Sequence, residues 1–224
     1  MPWTLLESVT ENDARLELYS RDGIFMIRAN GLELMSGFCH DSEMALGQLA
    51  AQLAPAREPR ILIGGLGLGY TVAALTDALG TAGTITVAEL SGAVIAWFQR
   101  YVKPSVLPMV AGNLTIIRAD IAELLSAGHA YDVIVLDVDN GPEPLVRAGN
   151  AALYSQAGLA ALRAALAADG VALLWSGFES EDFAARARAA GFAVACKPFS
   201  RARPDLAHYI YALGRSRAAL RHFA

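Results

Sequence analysis

At 224 residues and a formal net charge of −4, the chain suits one large domain, or one domain with a small appendage. The hydrophobic fraction is 54%, much of it alanine, yet no apolar run of about 18 residues escapes glycine or charge, so no membrane span is expected. The acidic balance argues against nucleic acid as the main partner. Two cysteines, Cys39 and Cys196, without metal-like spacing and four scattered histidines suggest no metal site.

Met1 to Glu7 lacks the basic start and apolar run of a signal peptide, so a cytoplasmic location with two reduced, partly buried thiols is expected. Arg15–Ser20 alternates, Asp22-Gly23 punctuates, Ile24–Arg28 follows, and Asn30-Gly31 precedes Leu32–Met35. Turn dipeptides between short runs predict a small β meander over residues 1–40. Asp41 or Ser42 is placed to cap a helix over about 42–53, closed off by Pro55 and Pro59.

From Arg60 onward strands and helices alternate, which predicts a nucleotide-binding domain over 41–224. Strands are expected at 60–64, 84–88, 114–118, 132–137 and 170–175, and helices at about 70–79, 91–102, 120–127, 155–168 and 180–190. Tyr131–Asp137 is apolar between acidic ends, as a central strand covered on both faces should be. Phe192–Cys196 and His208–Leu213 are strands with no helix between them, so they form an antiparallel pair. The predicted fold is therefore α/β: an open, mainly parallel, seven-stranded sheet with helices on both faces and a terminal antiparallel hairpin. That hairpin marks the S-adenosylmethionine-methyltransferase-like variant of the Rossmann fold.

In such sheets the ligand sits beyond the carboxyl ends of the strands, where the strand order reverses. Gly64 and Gly65 end the first strand, and Gly67 and Gly69 follow at alternate positions before a helix. Bare backbone there admits close approach of a ligand. Glu89 lies 20 positions after Gly69 at the next strand end, suited to paired ribose hydroxyls, with Leu90 beside it. Asp120, followed by Ile121, is open to two readings, an adenine contact or a plain helix cap. Asp137 ends the central strand with Asp139 two residues on, and a carboxylate at that rim should face a polar ligand. The long stretch from Asp139 to Tyr154 offers Asn140, Glu143, Arg147, Asn150 and Tyr154 as substrate contacts. Trp175 either walls the pocket or packs in the core, where Trp97 and Phe98 are expected. The arginines of the last 24 residues read as solvated surface or a subunit contact.

These residues resemble the spermidine synthase family of aminopropyltransferases over most of the chain. The likeness runs through Glu43-Met44 opening a helix, Gly64-Gly65, Glu89, Ala119-Asp120, Tyr131–Asp137, Leu153-Tyr154-Ser155 and Ala168–Val171. It implies an enzyme that transfers an aminopropyl group from decarboxylated S-adenosylmethionine to a small-molecule amine, without a metal, as a homodimer contacting through the meander. Asp137 and Asp139 would be catalytic, with Asp137 orienting the amine and accepting its proton. Glu43, Asn140 and Tyr154 would meet the substrate, and Gly64, Gly65, Gly67, Gly69, Glu89, Leu90, Asp120 and Ile121 would bind the nucleoside.

The family's pattern is not kept throughout. Its loop aspartate is replaced at Gly67 or a neighbour, its Asp-x-x-Asp reads Asp137-Val138-Asp139-Asn140, and its Tyr-His before the glutamate is Asp41-Ser42. Methyl transfer from intact S-adenosylmethionine and a catalytically idle nucleoside-binding module therefore stay open. Nicotinamide chemistry is disfavoured by Tyr70 where a third glycine should stand.

Overall fold

Alternate residues of the central strands serve two separate apolar cores, one on each face of a twisted sheet. In the computed structural model, which describes residues 2–11, 13–107, 112–138, 148–199 and 208–223 (backbone alone for 148–150), these strands form one seven-stranded sheet. Its members are β5 (Arg60–Gly64), β6 (Thr84–Glu89), β7 (Leu114–Arg118), β8 (Tyr131–Leu136), β9 (Leu166–Ser176), β10 (Ala193–Phe199) and β11 (His208–Gly214). They lie in the order β10-β11-β9-β8-β5-β6-β7. Strands β5 to β9 pair in parallel, and β11 runs antiparallel to both of its neighbours. This is the predicted methyltransferase-like architecture, and the strand order reverses between β5 and β8.

Ile61, Ile63, Val133, Val135 and Leu173 face one core, shared with α1 (Asp41–Leu53), α2 (Tyr70–Leu79) and α3 (Gly92–Trp97). Leu62, Ile134, Leu136 and Leu174 face the other, under α5 (Ile121–Ser126), α6 (Gln156–Ala165) and α7 (Glu181–Ala189). Each fully buried leucine, isoleucine or valine stabilises the fold by roughly 1.5–3 kcal/mol, so side chains on both faces fix the register of the sheet.

The N-terminal sheet has four antiparallel strands, one more than the sequence predicts: β1 (Thr4–Glu11), β2 (Ala14–Arg21), β3 (Ile24–Ala29) and β4 (Leu32–Ser36). Strand β1 escapes a hydrophobic-pattern reading because its sheltered face carries Glu7 and Glu11 instead of apolar residues. Glu7 accepts hydrogen bonds from Trp97 Nε1, Arg100 and the Tyr101 hydroxyl. Glu11 accepts from the Ser91 hydroxyl, the Gly92 and Ala93 amides and Arg118. Four residues apart on a strand, the two carboxylates share a face and strap the meander to the start of α3 and the helix after it. Hydrogen bonds to Tyr101 and Trp97, aided by Arg100, hold Glu7 below the ordinary carboxylate range. Burial pushes Glu11 up, but its hydrogen bonds and Arg118 outweigh that and leave it lowered.

Other boundaries shift for local reasons. His40 occupies the N-cap of α1 without a side-chain bond, so neither Asp41 nor Ser42 caps it. The helix predicted over 91–102 becomes α3, a π-helical turn over Phe98–Val102, and α4 (Lys103–Val106), which carries Pro104 directly after that turn. Helix α6 stops at Ala165 and β9 starts at once, with a register shift opposite Tyr131/Val133. Trp97 and Phe98 are core residues as expected, whereas Cys39 is exposed and Cys196 half-buried. Among the described residues no helix is long and apolar enough to cross a membrane, and no cluster of His, Cys, Asp and Glu is arranged to hold a metal.

Candidate active site

Between the meander and the carboxyl ends of β5, β6, β7 and β8 lies a cavity of about 340 Å³, within the range of small-ligand sites. The parallel strands deliver their C-terminal residues to this edge: Gly65 and Gly67 after β5, Glu89 and Leu90 at β6, Asp120 and Ile121 after β7, and Asp137 after β8. Glu43 enters from α1, Trp175 from β9, and Leu16, Ile27, Leu34 and Met35 from the meander.

The glycine loop is tightly fitted to its own protein. Gly65, Gly67 and Gly69 all have positive φ (92°, 51° and 79°), which selects glycine on backbone grounds. A Cβ on Gly65 would sit 2.1 Å from the Asp137 carbonyl oxygen, and one on Gly69 would sit 2.3 Å from the Phe98 ring. Gly64 is bare because Ile121 Cδ1 fills the space, and Gly67 lies beneath the thioether of Met35. The room expected for a ligand directly above these glycines is thus taken largely by protein atoms. Gly65 and Gly67 line the cavity, while Gly64 and Gly69 do not.

Glu89 Oε2 accepts from the Leu66 amide at 2.9 Å and Oε1 from the Ser91 amide at 2.8 Å, which fixes the carboxylate at the cavity wall. Each oxygen keeps a second lone pair for a ligand hydroxyl. Asp120 Oδ1 caps α5 by accepting from the Ala122 amide at 2.9 Å, so the cap reading holds while the residue also lines the cavity. Leu90 is one of the exposed large apolar side chains.

At the opposite end Asp137 Oδ2 accepts from the Thr71 hydroxyl at 2.7 Å. Burial lifts its carboxyl to about 7, Glu43 adds to the rise, and the Thr71 bond opposes it. Glu43 is buried and accepts from the Ser42 hydroxyl at 2.6 Å. Ser42 has a single hydrogen, committed to Glu43, so the His208 ring nitrogen 2.9 Å from its oxygen acts as donor. Burial pushes His208 down, against the pull of Glu43, which suits that neutral donor role. Trp175 packs edge-on to His208, with ring centroids 4.7 Å apart.

Tyr154 is a correction. It is 2% exposed, does not line the cavity, and packs edge-on against Phe183 in the core beneath α7, because the turn over Ala148–Tyr154 leads its ring inward. Asp139, Asn140, Glu143 and Arg147 lie outside the described residues, as do the side chain of Asn150 and the arginines at 201 and 203. Sequence reasoning missed Met35, Thr71, Glu11 and the Ser42–His208 link, since none belongs to a recognisable spacing.

The strand order and the crevice at its reversal define a Rossmann-like fold of the methyltransferase type. Among solved structures it is similar to spermidine synthase from Thermotoga maritima, with a TM-score of 0.75 at 18% identity over 98% of this chain and 75% of that one. A spermidine synthase in complex with the transition state analogue AdoDATO gives the same figures. No family model and no curated protein matches the sequence. At this identity the likeness establishes the fold.

Proposed function

We propose that the crevice binds a sulfur-bearing adenine nucleoside and that the chain transfers an aminopropyl group from decarboxylated S-adenosylmethionine to an amine. One observation carries this reading. Among the described residues the cavity is lined by Glu11, Asp13, Glu43, Glu89, Asp120 and Asp137, and by no lysine, arginine or histidine. Such a site favours a cationic ligand, and both a sulfonium and an alkylammonium supply the charge. The similarity to a spermidine synthase solved with AdoDATO supports a ligand of the same kind here.

Leu90 and Ile121 then flank the purine, Asp120 accepts from its amino group, and Glu89 accepts from the ribose hydroxyls. The sulfur end reaches Asp137. Glu43 and the Trp175 ring hold the acceptor ammonium. The amine nitrogen attacks the carbon beside the sulfonium, forming a C–N bond. The C–S bond breaks with its electrons going to sulfur, leaving neutral methylthioadenosine. The proton displaced from nitrogen passes to Asp137, whose carboxyl at about 7 is matched to neutral pH.

Incubation with decarboxylated S-adenosylmethionine and a panel of amines is expected to release methylthioadenosine. Asp137→Asn should cut turnover by about 10²–10⁴-fold with nucleoside affinity kept. Undiminished turnover in that variant removes Asp137 as the base. Methyl transfer from intact donor is the second reading, favoured by the lack of any acidic side chain in the glycine loop, Leu66-Gly67-Leu68. Appearance of S-adenosylhomocysteine instead of methylthioadenosine would establish it.

A further inference from the structure

Four of the five amides of the glycine loop, all but that of Gly67, already have acceptors. Gly65 N–H donates to the Ala88 carbonyl, Leu66 N–H to Glu89, and Gly69 N–H to the Leu66 carbonyl. Leu68 N–H donates to Met35 Sδ at 2.9 Å. The same Met35 covers Gly67, where a Cβ would lie 2.3 Å from its sulfur and 2.8 Å from its methyl carbon. Gly67 alone in the loop has an amide without a partner among the described residues, and the thioether covers the side of Gly67 on which a Cβ would stand. An incoming carboxylate needs free N–H donors or a cation. The cavity that Met35 and Gly67 line presents carboxylates instead, Glu43 and Asp137 among them.

We propose that Met35 determines donor specificity, seating its thioether over Gly67 and Leu68 so that the crevice refuses a sulfur-linked side arm bearing a carboxylate and accepts one ending in ammonium alone. This rests on the nucleoside reading above. Like charge and occupied donors act together: a carboxylate placed here loses water, gains at most the Gly67 amide as donor, and enters a cavity that holds Glu43 and Asp137. An arm that ends in ammonium alone carries no charge for these carboxylates to repel.

Two thioether nucleosides that differ only in the carboxylate, S-adenosyl-3-thiopropylamine and S-adenosylhomocysteine, isolate the effect by calorimetry on the full chain. The parent is expected to bind the first at least tenfold tighter. Met35→Ala should narrow that ratio at least fivefold by tightening S-adenosylhomocysteine, while Met35→Leu, which still fills the space, should preserve it. Should the alanine variant fail to fold, Met35→Val, suited to a strand, carries the same expectation. Equal affinities in the parent, or a ratio unmoved in the shortened variants, overturn the role of Met35 and leave the nucleoside reading intact. Binding of neither nucleoside to the parent overturns both.

Discussion

Replacing Asp137 by asparagine removes a charge that the folded chain carries unfavourably. Its carboxyl rises from the ordinary 3.8 to about 7, chiefly through burial and secondarily through Glu43. Because the folded-state value lies above the unfolded one, the folded chain binds more protons than the unfolded chain between those two pH values. Stability therefore falls as pH rises through that window, the reverse of an ion-paired aspartate. Below it both states are protonated and nothing is lost; above it the full loss is present. At ~1.4 kcal/mol per pH unit the rise bounds the loss at ~4 kcal/mol, and water in the half-open cavity screens this to roughly 2 kcal/mol. For a chain of 224 residues, 1 kcal/mol moves the melting temperature by about 2–4 °C. Thermal melts of parent and Asp137→Asn from pH 4 to pH 8 should thus diverge by ~4–8 °C, with the variant the more stable at pH 8. A gap that stays constant across that range, or a variant weaker than the parent at pH 8, refutes the reasoning.

Glu89→Ala should weaken nucleoside binding by roughly 1.5–3 kcal/mol in calorimetry, the loss of hydrogen bonds to a charged acceptor. Gly65→Ala is expected to cost more than ~3 kcal/mol in urea unfolding, because a Cβ there collides with the Asp137 carbonyl and φ is positive. Gly31→Ala, with positive φ but open space, should cost only about 1 kcal/mol. Glu11→Ala leaves the Ser91, Gly92 and Ala93 donors without their acceptor and should cost about 1–3 kcal/mol at neutral pH. Since the Glu11 carboxyl is lowered in the fold, that contribution should fade as pH falls below its ordinary 4.5, which acid titration of both proteins checks.

The parallel sheet was legible because its strands are bounded by glycine, acid or turn residues and alternate with helices of regular period. Glu89, Asp120 and Asp137 follow from one geometric rule, that strand ends of a parallel sheet converge on one edge. Strand β1 was not legible, since its sheltered face is acidic and the partners of those acids lie 80 to 107 residues away in sequence. The loop glycines could be read as special without revealing why. A positive φ and a short approach look alike in sequence, whether the visitor is a ligand or Phe98 and the Asp137 carbonyl. Met35 fell outside every motif because it reaches the loop from a different sheet. Tyr154 shows the opposite error, a polar aromatic beside a long loop whose ring is nonetheless core.

The charge that weakens the fold is also what a ligand can repair. An ammonium set against Asp137 and Glu43 favours the ionised carboxyl, so it must draw the Asp137 pKa back toward its ordinary value on binding. At pH 6 the Asp137 carboxyl, at about 7, is mostly protonated in the free protein, so binding should expel roughly one proton. At pH 8.5 it is already ionised and almost none should leave. Titrating an amine-bearing ligand in two buffers of different ionisation enthalpy reads that number directly. Affinity should accordingly climb from pH 5 to pH 7 and then level, provided the ligand itself stays protonated. Proton release absent at pH 6 would mean that the cation is held elsewhere, and the strand-end carboxylate would lose its claim to meet the amine.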